Sequence, residues 1–367
     1  MKQSRRQFIL TSATATAASA SGLHLAGCAH GGMEAYERSE SQLRSPLAGD
    51  PSLPDLLRYA TLAPSGHNTQ PWSFRPRGSG VRILADLSRR TPVVDPDDHH
   101  LFVSLGCAAE NLLIAAAASG RPGALAFHAG PDPAIDVDLA QGPRTSSSLC
   151  QAIPARQSTR SAYDGRALFL ADLRLLEATA RVDGVSVVLL TDPVQREVIL
   201  DHLIRGNNAQ MSDPAFVTEL RDWIRFNSAQ ALATGDGLFS RCSGQPTLPA
   251  WIGKRMFRTF FSEEAEDAKY VKHMRSSAGV AVFLGDKADR EHWVSVGRSF
   301  QRFALQATAL GIRYTPINQP VEVPSIRSEF ARWLGAGNTR PDLVIRFGRG
   351  TPMPMSMRRP VASVIAS

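Results

Sequence analysis

The chain has 367 residues, 41 of them Lys or Arg against 34 Asp or Glu, for a formal net charge of +7 supplied mostly by arginine. That length leaves room for a large core in one or two domains. No basic run carries interleaved aromatic residues, so nothing points to nucleic acid, and the four cysteines (Cys28, Cys107, Cys150 and Cys242) lack metal-ligand spacing.

From the N-terminus, Ser4-Arg5-Arg6-Gln7-Phe8-Ile9-Leu10 sets paired arginines ahead of a mildly apolar run of Ala, Ser and Thr. This is the pattern of a twin-arginine export signal. The run is too polar for a membrane span. It ends in Leu25-Ala26-Gly27-Cys28, similar to the box cut by the lipoprotein signal peptidase. Residues 1–28 are therefore the expected signal and Cys28 the expected acylated residue. The expected location is the periplasm or cell envelope, with a lipid anchor in the membrane. Residues 29–48 read as a polar linker.

A short apolar helix, Leu53 to Leu62, runs into Ala63-Pro64-Ser65-Gly66-His67-Asn68-Thr69-Gln70-Pro71-Trp72, and a strand starts near Ser73. Two prolines stiffen this loop, and Gly66 lets a ligand approach the backbone. Ser65, Asn68 and Gln70 offer donors and acceptors, and Trp72 offers a flat apolar wall. The set suits a planar, heteroatom-rich ligand; the plainer reading is a helix-stopping turn with a buried Trp. His67 beside Ser65 makes no triad, since no orienting acid can be named.

Val81 to Ala85 reads as a strand, followed by a helix from about Leu101 to Ser119, capped by Asp97 or Asp98 and ended by Gly120. Cys107 falls on its apolar side and reads as a core residue. His99 and His100 are taken as helix-start residues rather than metal ligands, and no metal is expected. Leu125–Phe127 and Ile135–Leu139 are strand candidates. A Cys150–Cys242 disulfide is open to the chain outside the cytoplasm.

The second half repeats part of this plan. A helix over about His292 to Leu310 begins Val294-Ser295-Val296-Gly297, where the first has Val103-Ser104-Leu105-Gly106, and ends at Gly311, where the first ends at Gly120. Each follows an apolar strand (the second is Val280 to Leu284) and precedes another. The pattern indicates an internal duplication with a very long period.

The loop from Ala63 to Trp72 resembles the A-P-S-x-x-N-x-Q-P-W segment of the flavin-dependent nitroreductase family. With His67 and Thr69 it looks like the Acg-type branch of single-chain, FMN-binding members. The resemblance implies an α+β, nitroreductase-like fold. It also implies a loop near the flavin N5 edge, with Pro64, Ser65, Gly66, Asn68 and Gln70 binding the cofactor. Family members are usually homodimers with FMN at the interface, so the duplication implies a fused pseudo-dimer that is a monomer. The halves are 49–150 and 151–367. Arg156-Gln157-Ser158-Thr159-Arg160 is similar to the family's Arg-x-Ser-x-Arg/Lys grip on the FMN phosphate. Arg156, Ser158 and Arg160 would project with alternate spacing and bind it through charge-assisted bonds. With one loop in one half and one grip in the other, the resemblance implies one FMN per chain.

Pro316, Ile317, Asn318 and Gln319 resemble the loop covering the N5 and O4 side of the ring, where typical members carry Glu-Gly. Arg358 and Arg359 resemble the terminal basic pair closing on the phosphate, and Arg225 is expected at the pyrimidine edge, where a cation stabilises reduced flavin. The plainer readings are an exposed basic loop, a basic tail and a surface arginine. Residues 234–276, with Gly235, Gly237, Gly244, Pro246 and Pro249 and then Trp251, Phe257, Phe260 and Phe261, are a long loop insertion absent from the first half. They read as a lid or as an interdomain packing arm. The implied activity is hydride transfer through flavin to a small electron-poor acceptor, a nitroaromatic or quinone, with NAD(P)H or another donor. One alternative is a lidded flavin-sequestering protein with little turnover. Another is a structural lipoprotein with a decayed site.

Overall fold

The computed structural model describes residues 32–337 and 339–366. The export signal and Cys28 lie outside the described residues. Residues 32–43 form a helix (α1), not a linker; it buries Tyr36 against Phe239, Cys242 and Met357. Helix α2 (Leu53–Thr61) starts at a capping box, with Ser52 Oγ accepting from the Asp55 amide and Asp55 Oδ2 accepting from the Ser52 amide at 3.0 Å.

The first sheet holds β1 (Trp72–Arg77), β2 (Gly80–Ala85), β3 (Gly123–His128) and β4 (Ala134–Leu139) in the order β1-β2-β4-β3. Helix α3 (His99–Ala118) joins β2 to β3. Its first N–H groups are satisfied by Asp95, whose oxygens accept from His100 and Leu101 at 3.0 Å each; Asp98 stands at the cap position but makes no capping bond. Helices α4 (Ser148–Ala152) and α5 (Leu170–Thr179) lead to the second sheet. That sheet holds β5 (Val185–Leu190), β8 (Gly279–Gly285), β9 (Arg313–Pro316) and β10 (Arg340–Gly348) in the order β5-β8-β10-β9. Between β5 and β8 come α6 (Pro193–Met211), α7 (Pro214–Asp222), the two-residue strands β6 (Ile224–Arg225) and β7 (Leu238–Phe239), α8 (Ser228–Thr234), α9 (Ala250–Phe260) and α10 (Glu263–Arg275). Helix α11 (Arg290–Ala309) joins β8 to β9, and α12 (Gln319–Glu322) and α13 (Pro324–Leu334) precede β10.

Strand for strand, the two antiparallel sheets have the same order, and each sends a long helix from its second strand to its third. Helices α3 and α11 pack on each other between the sheets, and one core holds Phe74, Ile83 and Leu105 of the first half with Phe283, Phe303 and Ile345 of the second. Helix α3 is long and apolar enough to cross a bilayer, but this packing explains its composition. The crossing is reciprocal: a Cβ on Gly106 would lie 2.1 Å from the Val294 carbonyl oxygen, and one on Gly297 would lie 2.0 Å from that of Val103. Only glycine permits such backbone approach. Asn111 and Gln301 bond across the same seam at 2.6 Å, and Glu110 pairs with Arg298 and Arg302. The halves are also interlocked. The C-terminal tail returns to the first sheet, where the Phe74 amide donates to Val364 and the Ala366 amide to Phe74. The second sheet alone is covered on its outer face, where Val280, Val282 and Val344 meet α6 and α13.

Candidate functional site

A cavity of about 470 Å³ opens between the halves, within the range that encloses a cofactor-sized ligand. Its floor is Val103, Ser104 and Cys107 of α3 with Phe300 of α11. Pro64 to His67 border it on one side and Pro316, Asn318 and Gln319 on another. Residues of α9 and α10, including Met256, Phe257, Lys269 and Tyr270, form the roof.

The bordering loop is unusual in its backbone. His67, Asn68 and Gln70 have φ of 46°, 56° and 54°, a region non-glycine residues rarely occupy. The loop is held on every side. Ser65 Oγ accepts from the Gln70 amide at 3.0 Å. Arg156 and Arg358 give their guanidinium groups to the carbonyls at the end of α2: Arg156 Nη2 to Leu62, Arg358 to Thr61, Leu62 and Ala63. These are the carbonyls a helix leaves unpaired, at the end where its dipole favours a cation. Arg359 grips the other end, donating to the Gln70 carbonyl and side chain. Strain of this kind persists only where the surroundings over-determine it.

Arg160 is the cation facing the cavity without a counter-charge. Among the described residues no carboxylate lies within ion-pair distance of it and no hydrogen-bond partner is found; burial holds its pKa below the ordinary value. Ser158 lines the cavity beside it. Arg160 is half-buried, and a partly desolvated cation with no counter-charge favours an anion beside it. His67 also lines the cavity, with Nδ1 buried and unpartnered; burial, then Arg160 and His100, push its pKa down to about 4, so the ring is neutral. At the opposite wall, His100 Nδ1 lies 3.9 Å from both Asp95 Oδ1 and Glu322 Oε1. Asp95, His99 and His100 bring ligand atoms within 4.8 Å of one another, but Asp95 spends both oxygens capping α3.

No protein-family model matches the chain. A protein of Mycobacterium tuberculosis strain H37Rv, provisionally named NAD(P)H nitroreductase Rv3131, is 26% identical over 348 residues, covering 88% of this chain and 95% of its own. The counterpart in strain CDC 1551, MT3217, matches identically. The similarity to these two proteins runs over most of this chain. Among solved structures, a nitroreductase with bound FMN from Bacteroides fragilis aligns with 15% identity over 56% of this chain and 90% of its own, with a TM-score of 0.35. The FMN-dependent nitroreductase NfnB from Mycobacterium smegmatis, in complex with NADPH, aligns with 12% identity over 55% and 87%, with a TM-score of 0.36. Likenesses this loose carry no weight for the site.

The expected site residues divide. Pro64, Ser65, Gly66, Ser158, Arg160, Pro316, Asn318 and Gln319 border the cavity. The others are turned elsewhere. Asn68 Nδ2 donates to the Gly237 and Met357 carbonyls, and Gln70 Nε2 to Gly235, because the left-handed backbone rotates them away from the cavity. Arg156 follows a turn at 153–155 that breaks the expected alternation, and it bonds Tyr314 and Leu62. Ile317 is core, its amide bonded to Val344. Arg358 and Arg359 strap the loop and do not border the cavity. Arg225 sits on β6, fully engaged with Asp236 at 2.7 Å rather than free at a pyrimidine edge, and Ile224 takes its place at the wall. Trp72 is wholly buried in the core, not a ligand wall. Cys107, Cys150 and Cys242 are free thiols, so the disulfide does not form. The insertion is not a loop: it carries α9 and α10. Gly235 and Gly237 of the insertion are pinned by Gln70 and Asn68. Sequence reasoning missed His100, Gln210 and Glu322 as cavity residues; nothing in their spacing marks them.

Proposed function

We propose that the chain is an FMN-dependent oxidoreductase of the nitroreductase type, passing electrons from a nicotinamide nucleotide to a small electron-poor acceptor such as a nitroaromatic or quinone. The observation that carries this reading is the cavity between the halves, in which Arg160 is the uncompensated cation and the remaining walls are largely apolar. The donor set fits FMN. Arg160 and Ser158 would hold the phosphate through charge-assisted bonds, and the loop 64–67 with Pro316 and Asn318 would border the ring. Bound there, FMN supplies the two-electron redox chemistry. The chain's own part is to bind, orient and exclude water. The arginine-strapped loop fixes the position of Pro64 to His67. Neutral His67 presents a nitrogen in need of a partner, and Phe257, stacked on Phe261 with ring centroids 4.3 Å apart, roofs the space. The name of the Mycobacterium tuberculosis relative supports the nicotinamide donor, and its full-length similarity supports a single-chain arrangement.

The matching strand orders and reciprocal glycines support two fused halves sharing one flavin. The roof supports a second reading, a flavin-holding protein with slow turnover. Anaerobic titration of the holoprotein with NADH and NADPH, followed by a nitroaromatic or quinone, separates the two. Rapid reduction and reoxidation favour the enzyme; bound flavin that neither nucleotide reduces favours the holder. Export by the twin-arginine route and tethering through Cys28 belong to the same proposal, supported by residues 4–10 and 25–28. Cys28→Ser should convert a membrane-bound form to a soluble exported one; a wild type that is already soluble would contradict the anchor.

A further inference from the structure

We infer that Glu322 is the proton donor to the acceptor reduced in this cavity, with His100 returning the proton. The inference rests on the oxidoreductase reading. Glu322 closes α12, one helical turn past Asn318, on the segment that borders the cavity. Its side chain keeps 17% of its exposure while lining that cavity. Oε2 accepts from Gln210 Nε2 at 2.7 Å, and Oε1 lies 3.9 Å from His100 Nδ1. The groups facing it are His100 from α3, Asp95 from the loop before α3, Gln210 from α6, and Tyr270 and Glu266 from α10. Among the described residues no Lys or Arg comes within ion-pair distance of Glu322. Burial raises the pKa of this carboxyl, His100 and the Gln210 hydrogen bond pull it back, and the Asp95 anion adds to the rise.

Two-electron reduction of a quinone oxygen needs a proton as well as the hydride that originates in the nicotinamide donor. The carboxyl O–H of Glu322 breaks and the acceptor O–H forms. The carboxylate left behind is reprotonated from solvent by way of His100, whose Nδ1 lies 3.9 Å from Glu322 Oε1 and which passes one proton on as its other ring nitrogen takes up the next. The nicotinamide is oxidised, the quinone becomes a hydroquinone, and charge balances. Donating acids matched to the working pH are those an enzyme raises by burial.

The test compares 1,4-benzoquinone, which takes up protons, with ferricyanide, which takes up only electrons, in wild-type holoenzyme and Glu322→Gln. The ratio of quinone to ferricyanide turnover should fall by about 100-fold in the variant, the usual scale of a lost general acid. The alkaline fall in the wild-type quinone profile should vanish, and Glu322→Asp should restore part of the ratio. Independently of turnover, infrared spectra of the cofactor-free protein followed across pH should show a protonated-carboxyl band that persists to higher pH than an ordinary carboxyl and that Glu322→Gln removes. An unchanged ratio and pH profile, or a band unaffected by the variant, overturns the role of Glu322. A wild type that reduces neither acceptor overturns the oxidoreductase reading itself.

Discussion

At the residue scale, a few buried charges settle what the cavity can hold. Arg160→Ala removes the uncompensated cation, and the loss of one charge-assisted contact is worth about 1.5–3 kcal/mol. FMN affinity, followed by fluorescence quenching, should weaken by roughly tenfold to a hundredfold. Arg156→Ala should act differently. Its guanidinium holds Tyr314 and Leu62 rather than the cavity, so the thermal midpoint should drop while the affinity of the folded fraction changes less. Asp342 gives a pH prediction. It is fully buried, with Oδ2 accepting from Gly285 at 2.7 Å and Oδ1 2.9 Å from His99 Nε2. Burial raises its pKa to about 7 and drives that of His99 well down, so the pair stays uncharged. The unfolded carboxyl releases its proton near pH 4. Between there and pH 7 the unfolded state gains relative to the native one, by an upper bound of roughly 4 kcal/mol. Neutral His99 works the other way below about pH 6.5, where the unfolded imidazole takes up a proton that the folded one refuses, so the Asp342 effect is read as a difference: the urea-unfolding stability of the wild type minus that of Asp342→Asn should fall as pH rises from 5 to 7.

At the element scale, legibility followed local rules. The apolar run Val280–Leu284 and the periodic helix after it declared themselves, because β8 is buried on both faces and α11 has a clear apolar stripe. The cavity-bordering loop was legible as a stretch but not residue by residue. Side-chain chemistry marks Asn68 and Gln70 as donors, whereas three positive φ angles decide where they point, and only tertiary strapping by Arg358 and Arg359 imposes those angles. The insertion hid its helix behind glycine and proline, although Met256 and Phe257 of α9 stand four and three residues before Phe260, a helical spacing. The structure also narrows the roof experiment. Helix α10 is part of the fold, with Asp267 bonded to Asn207 of α6 at 2.8 Å, so only 246–261 should be replaced by a short Gly-Ser linker. If α9 gates the ring, stopped-flow reduction by NADPH should be slow in the intact protein and faster in the shortened one. No acceleration would mean that α9 is a wall.

At the scale of the whole molecule, two sheets of identical order clasp paired helices, and the site exists only where the halves meet. The seam leaves no space for one methyl group. Gly106→Ala or Gly297→Ala drives a Cβ into a backbone carbonyl of the other half, and each should cost about 3 kcal/mol in denaturant unfolding. The double variant should cost less than the sum, since one separation relieves both clashes. If this seam builds one flavin site with the phosphate on Arg160, titrating the purified protein with FMN and counting bound flavin per chain from the visible spectrum should show saturation at one FMN per chain and a loss of affinity in Arg160→Ala. A protein that stays colourless at saturating FMN, or that binds two, would contradict that reading.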